Sequence, residues 1–391
     1  MGQNKFTWPL INDNITDSDK YALIDWLREP NVRFTQSKYV RKFEEAWSRW
    51  LGVEYSVFVN SGASANYIMA SILKEIKGGG EVIVPPIGWV SDIAPIVNLG
   101  MTPVFVDVNM HNMAISAENI KNAITDKTIG ITLVHALGFN GLTDEILKIA
   151  KEKDLILIED CCESHAARHN GELVGTHGLM SNFSFYFGHH ITTVEGGMVC
   201  TNDKKVYELA KMFRSHGMIR ESSDTTRDYY ARKYPDLNPL FTFAVPGYNV
   251  RNTEFNAVLG LHQLKRLDQA AKIRSFNFGL WLEFLDSEKY YTNFNFKGNS
   301  NFALPLILWD KDKRRMKNIE KTLQRLRVEY RIGTAGGGNQ ARQPYLEKYD
   351  HKIVGNLNNA NHIHDFGLYI GNHTDLTETQ ITQLCEALND C

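Results

Sequence analysis

The chain has 391 residues, with 43 Lys and Arg set against 45 Asp and Glu, a formal charge of −2. That balance leaves no electrostatic footprint for nucleic acid or an anionic membrane, and 43% hydrophobic residues with 11% aromatics exclude global disorder. No apolar run approaches the ~18 residues of a membrane span, and the opening MGQNKFTWPLINDN lacks the basic-then-apolar order of a signal peptide.

The length suits two or three domains of ~150 residues. Through the first half, EVIVPP (Glu81 to Pro86), TPVFVDV (Thr102 to Val108), IGITLVHAL (Ile129 to Leu137) and DLILIED (Asp154 to Asp160) predict buried strands. Between them, AENIKNAI (Ala117 to Ile124) and DEILKIAKEK (Asp144 to Lys153) have helical spacing with charged outer faces. This alternation predicts an α/β fold with a parallel sheet covered on both sides. Such sheets bind ligands at the C-terminal ends of their strands.

The polar, aromatic stretch Ser222 to Leu240, with two prolines, reads as a long excursion outside the core. Helical patterns follow at Thr253 to Arg274 and Asp312 to Tyr330, the second beyond an edge strand, NFALPLIL (Asn301 to Leu308). The expected division is a large domain over 1–248, with an N-terminal arm, and a smaller α+β domain over 249–391. Five cysteines (Cys161, Cys162, Cys200, Cys385, Cys391) with no CxxC support neither a disulfide framework nor a zinc ribbon. A reducing, cytoplasmic setting is expected, with the 161–162 pair at a buried strand end and no metal site.

Three constellations carry chemistry. NSGASAN (Asn60 to Asn66) runs into a helical pattern, and its small residues offer bare backbone N–H groups at a positive dipole end, which suits a phosphate. An ordinary serine cap on a core helix reads equally well, and the GKS/T ending of a P-loop is missing. Asp160 closes a strand and is followed by Cys161, Cys162, Glu163 and Ser164. Its carboxylate suits a protonated ring nitrogen, or a helix cap, or an ion pair. The third, FYFGHHITTVEGG, follows Ser184 and holds His189, His190 and Glu195-Gly196-Gly197. Adjacent histidines on an extended stretch point to opposite faces, so they are not expected to share a metal. A satisfied core histidine is the plain alternative.

The order of these pieces, with Trp89 after VPPIG, VPGYNVR (Val245 to Arg251) and IGNH (Ile370 to His373), resembles the sugar aminotransferase/dehydratase family that uses pyridoxal phosphate. The resemblance covers nearly the whole chain. It implies the aspartate aminotransferase-like architecture, fold type I, with a mostly parallel large sheet. In that family a lysine stands where this chain has His189. An imidazole cannot bind the cofactor covalently as lysine does, yet it serves as a base near neutral pH. The exchange, with RSHGMIR, resembles the 3-dehydratases of 3,6-dideoxy-sugar synthesis.

That likeness implies a GDP-linked 4-keto-6-deoxyhexose of the mannose series as substrate, and L-glutamate as the amino donor that turns pyridoxal into pyridoxamine phosphate. A 3-deoxy ketone and ammonia would be the products. It implies that Gly62, Ala63 and Ser184 hold the phosphate, Trp89 stacks on the ring, Asp160 pairs its nitrogen and Glu163 meets its hydroxyl side. His189 would be the base, and Asn249 of the partner subunit would complete the phosphate site in a homodimer. His216, Arg220, Arg251, Glu329 and Arg331 match substrate-binding positions. The alternatives are a 4-aminotransferase lacking the lysine and a non-catalytic binder of cofactor or nucleotide.

An iron–sulfur cluster needs four grouped cysteines, and this spacing offers none. Gly188 replaces a common Ser or Thr, and His190 the usual Asn. The Gly-rich run Arg331 to Tyr345 reads unlike the family loop and is expected to border the sugar site.

Overall fold

The predicted apolar runs form one eight-stranded sheet in the computed structural model, which describes residues 8–391. Seven of its strands come from residues 55–201: β1 (Tyr55–Val59), β2 (Glu81–Val84), β3 (Thr102–Val106), β4 (Thr128–Val134), β5 (Ile156–Asp160), β6 (Met180–Ser184) and β7 (Gly197–Thr201). The C-terminal part adds β8 (Ala303–Ile307), β9 (Tyr330–Ile332), β10 (Lys352–Val354) and β11 (Gly367–Gly371). The large sheet has the order β1-β7-β6-β5-β4-β2-β3-β10. β7 pairs antiparallel with β1 and β6, and the other pairings are parallel. The C-terminal ends of β1, β5 and β6 therefore lie on one side, where open α/β sheets bind ligands.

Every residue of β2, β5 and β6 is buried, as continuous apolar strands between two helical layers must be. On one face, Trp47 of the helix Lys38–Leu51 packs against Phe183 and Phe185 at ring-centre distances of 5.0 and 4.8 Å. That helix stops at Gly52, whose φ of +88° is the left-handed cap an L-residue adopts at a cost. The second sheet, β8-β11-β9, is antiparallel, with β8 at its edge as predicted. β10 crosses back to pair with β3, so the C-terminal chain contributes to both sheets.

Three local expectations change. The excursion contains a helix, Asp224–Lys233, capped by Ser223 on the Thr226 amide, and none of its residues is buried. The pattern from Thr253 breaks into two helices, Glu254–Gln263 and Leu267–Phe284, joined by one tight turn. β4 ends at Val134 rather than Leu137, because Leu137 turns to φ +52° and donates its N–H to Glu163 Oε2 at 2.7 Å. Among the described residues no helix is long and apolar enough to cross a membrane.

Candidate functional site

The strand ends build a cradle. β1 runs into the helix Gly62–Lys77, whose cap Ser61 accepts the Ser64 amide at 3.0 Å. The amides of Gly62 and Ala63 remain for a ligand at the positive end of a 16-residue helix. Gly62 sits so close to β6 that an added Cβ would lie 2.7 Å from Ser184 Cβ and 2.9 Å from Cys162 Sγ. Gly197 of β7 makes this approach possible, since a Cβ there would lie 2.3 Å from Ser61 O. In register, Gly197 stands between Val59 and Ser184. The Glu-Gly-Gly signature thus clears space for the helix N-terminus, while the Glu195 side chain is exposed.

Asp160 ends β5 beside this cradle. Its Oδ1 accepts from the Cys162 amide at 2.9 Å, and its Oδ2 from Asn66 at 2.8 Å and Asn182 at 3.0 Å. Burial opposes ionisation, but hydrogen bonds from Asp92, the Cys162 amide, Asn66 and Asn182 outweigh it and hold the carboxyl below its ordinary range. Glu163 lies one turn on. Burial, helped by the Asp160 charge and opposed by the Leu137 N–H, pushes it up to about 7. Trp89 presents its ring 58% exposed, and its backbone N–H is fixed on Asp92 Oδ2 at 2.9 Å.

The two histidines do not lie on an extended strand. Residues 187–190 form a turn, with the His189 amide donating to Tyr186 O at 3.0 Å. Both imidazoles consequently approach the same buried ring, His165, at 6.1 Å from His189 and 5.2 Å from His190. The opposite-faces expectation fails because it assumes a strand where the chain bends. His190 is a core histidine, with Nε2 3.0 Å from Ser300 O and its buried Nδ1 without a hydrogen-bond partner. His189 is only half-buried. Its Nδ1 is buried with no hydrogen-bond partner, which leaves Nε2 for the ligand side. Burial pulls its pKa down to about 4 despite the Asp160 charge, so the ring is neutral at pH 7.

One chain thus brings Gly62, Ala63, Trp89, Asp160, Glu163, Ser184 and His189 into one neighbourhood. A separate strip carries His216, Arg220 and Asn249, all exposed, with Ser215 and Asn249 bridged through their backbones. Arg251 bridges Val59 and lies beside the end of β1. Glu329 accepts from the Leu10 amide at 3.1 Å and stands 3.9 Å from Arg331, so it ties down the N-terminal arm. Arg331 pairs in register with Tyr369, whose hydroxyl senses the charge of Glu163.

Some site residues escaped the sequence reading. Asn182 lies two residues before Ser184, so strand alternation puts both on one face. Asn66 lies inside NSGASAN, and Asp92 three residues after Trp89. The Gly-rich loop borders Trp89: a Cβ on Gly336 would lie 2.7 Å from its ring, and Gln340 Nε2 donates to Gly88 O at 3.2 Å. A buried group of His135, Glu159 and Cys161 has metal-like proximity. Its polar groups are committed, however: Gly141 N–H donates to His135 Nδ1, and Glu159 takes His135 Nε2 and three backbone amides.

Comparison with known proteins agrees with this geometry. A GDP-4-keto-6-deoxy-D-mannose 3-dehydratase of Yersinia pseudotuberculosis is 34% identical over 91% of this chain and 92% of its own. The solved Escherichia coli GDP-4-keto-6-deoxy-D-mannose-3-dehydratase with bound hydrated PLP superposes with a TM-score of 0.89 at 31% identity, over 98% of this chain and 100% of that one. Further structures of such a dehydratase, at TM-score 0.87 over 98% of this chain and 100% of theirs, hold GDP-perosamine (31% identical) and a PLP-glutamate geminal diamine (30% identical). The architecture is that of PLP fold type I. Residues 15–389 match the DegT/DnrJ/EryC1/StrS aminotransferase family, and the chain belongs to it.

Proposed function

We propose that this protein is a pyridoxal-phosphate-dependent 3-dehydratase of GDP-4-keto-6-deoxy-D-mannose that consumes L-glutamate and releases ammonia. The observation that carries this reading is His189, a neutral imidazole at the place of the family lysine, set among residues that suit the cofactor.

The residues present fit the cofactor. The amides of Gly62 and Ala63 at the helix N-terminus, next to the Ser184 hydroxyl, suit a phosphate, and Gly62 has no room for a side chain that could cover them. Asp160, held as an anion by its donors, suits a protonated ring nitrogen, and the exposed Trp89 ring offers a stacking face. When bound, the cofactor supplies an electron sink and an amino group.

The chain supplies the rest. His189 takes up and returns a proton at Nε2, as a base of low proton affinity at neutral pH. Glu163, poised near neutrality, holds or gives a proton on the cofactor's hydroxyl side. Because His189 has no amine, nothing covalent ties cofactor to protein between turnovers, so binding rests on the cradle. Arg331 and Tyr369 face the sugar side with the Gly-rich loop, and His216, Arg220 and Arg251 serve the diphosphate.

A homodimer belongs to the same proposal. Leu237, Leu240, Phe241 and Phe243 are each more than half exposed on the strip that carries Asn249, an apolar patch of the kind a partner covers. We assign Asn249 of the partner subunit to the phosphate site. The boundary at 248/249 divides a large cofactor-binding domain from a smaller C-terminal domain, and five free cysteines suit the cytoplasm.

The test is to incubate the protein with pyridoxal phosphate, L-glutamate and GDP-4-keto-6-deoxy-D-mannose. A 3-deoxy ketone with stoichiometric ammonia is expected. An intact 4-amino sugar would make the protein an aminotransferase instead, and no turnover with tight cofactor binding would make it a non-catalytic binder.

A further inference from the structure

Behind the cradle lies a second carboxyl group that no motif singled out. Asp92 is 5% exposed, as is Asp160, and one amide holds the two carboxyls side by side: Asn66 Nδ2 donates to Asp92 Oδ1 at 3.2 Å and to Asp160 Oδ2 at 2.8 Å. Two carboxylates buried around one donor repel each other, and a single proton shared by the pair relieves that repulsion. The donors around the pair decide where it sits. Asp160 receives three N–H donors, from Cys162, Asn66 and Asn182. Asp92 receives two, Trp89 N–H on Oδ2 at 2.9 Å and Asn66 Nδ2 on Oδ1 at 3.2 Å. Among the described residues, the other titratable groups facing the pair are Glu163, Cys161, Cys162, His189 and Tyr345, and none of these is a permanent cation.

We infer that Asp92 is a positioning residue, a neutral carboxylic acid that donates its proton to Asp160 and anchors the Trp89 backbone, locking the ring-nitrogen partner and the ring-stacking residue into one unit. The inference rests on the proposed cofactor roles of Asp160 and Trp89. Burial and the neighbouring Asp160 charge raise the Asp92 pKa well above the carboxyl range, in line with the donor count. Asn66 completes the unit, since one amide bonds both carboxyls. A neutral Asp92 leaves the Asp92–Asp160 pair with a single negative charge, the number one protonated ring nitrogen balances. A second buried anion there would demand a second cation.

The experiment compares Asp92→Asn and Asp92→Ala with the wild-type protein in two measurements. Infrared difference spectroscopy of cofactor-free protein at neutral pH reads the carboxylic-acid carbonyl band. The wild type should show a component that Asp92→Asn removes, and a spectrum with no such difference overturns the neutral acid. Titration with pyridoxal phosphate, followed by its absorbance, reads the link to the cradle. Asp92→Asn, which still donates to Asp160 and accepts from Trp89, should weaken binding less than about 5-fold, and Asp92→Ala about 30-fold or more. Equal losses in both variants overturn the proposal, since they mean that the anion matters; no loss in either means that Asp92 positions nothing. If wild-type protein binds no pyridoxal phosphate while the infrared component is present, the cofactor reading fails and the acid pair stands. Thermal melting of the cofactor-free variants identifies an Asp92→Ala that does not fold; Asp92→Asn and the infrared component then decide alone.

Discussion

The cradle and the strip from Ser215 to Arg251 are built on opposite terms. In the cradle the key carboxylate has its partners and the packing is tight: Asp160 takes three N–H donors, and one Cβ at Gly62 would strike Ser184 and Cys162. On the strip, His216, Arg220 and Asn249 face outward, and Phe241 and Phe243 are 59% and 57% exposed. A finished site and an unfinished one in the same chain suggest a division of labour. The cradle is preorganised by strand ends that fold regardless of any partner, whereas the strip acquires its role only when something covers it.

The largest effect should come from the reacting side of the cradle. His189→Asn is expected to lower kcat by about 10³-fold, within the range for a lost general base, while pyridoxal phosphate still binds, because the imidazole is not among the groups that hold it. Unchanged turnover would remove His189 from the chemistry.

Next comes Asn249→Ala, expected to weaken cofactor binding by about 10–100-fold through one lost hydrogen bond to a charged group. Mixing this variant with His189→Asn sharpens the comparison. If Asn249 serves the partner's site, the mixed dimer contains one intact site and activity returns. If it serves its own chain, both sites stay defective and, at limiting cofactor, the mixture gains nothing over the separate variants.

The cradle was also the more legible region in the sequence. Its residues sit at strand C-termini, where apolar runs end abruptly in Asp160 and Ser184, and where small residues open a helix at Gly62. What stayed hidden was placed by pairing between strands. Asn182 meets Asp160 through the β5–β6 register, and Asp92 reaches Asp160 through a turn that local patterns do not aim. The bend at 187–190 was missed because its aromatic and β-branched neighbours read as a strand, while Thr192 and Thr193 turn their hydroxyls onto the backbone instead. The helix in the excursion was missed because it buries nothing, so no apolar stripe marks it.

A smaller effect separates the two titrating groups of the cradle. Glu163 has a folded-state pKa of about 7 against an ordinary 4.5. Between those values the folded chain keeps a proton that the unfolded chain releases, so this group adds stability as pH falls through the window. His189 works in reverse: at about 4 against 6.5, it costs stability as pH falls from 6.5 towards 4. The two offset each other between about pH 6.5 and 4.5. Glu163→Gln removes only the first, so the cofactor-free variant should lose more stability than wild type on acidification from pH 6.5 to 5. The difference should be on the order of 1–2 kcal/mol in urea unfolding, reduced by the partial exposure of Glu163. Parallel pH profiles would mean that Glu163 is an ordinary ionised carboxylate.

The smallest effect tests the strip's outer side. Tyr229 lies on the helix Asp224–Lys233, is 51% exposed, and touches Tyr230 at 5.1 Å and the Lys233 ammonium at 5.6 Å. Those contacts are solvent-screened, and alanine has the higher helix propensity, so Tyr229→Ala should shift unfolding of dilute protein by less than about 0.5 kcal/mol. Repeating the measurement at high protein concentration asks whether a second copy packs on this helix. A cost that grows with concentration means the residue is buried only on association, which extends the incomplete surface beyond Phe243. A cost above about 1 kcal/mol already in dilute protein means the helix is packed within the single chain, and the contrast between a finished and an unfinished region then breaks at this point.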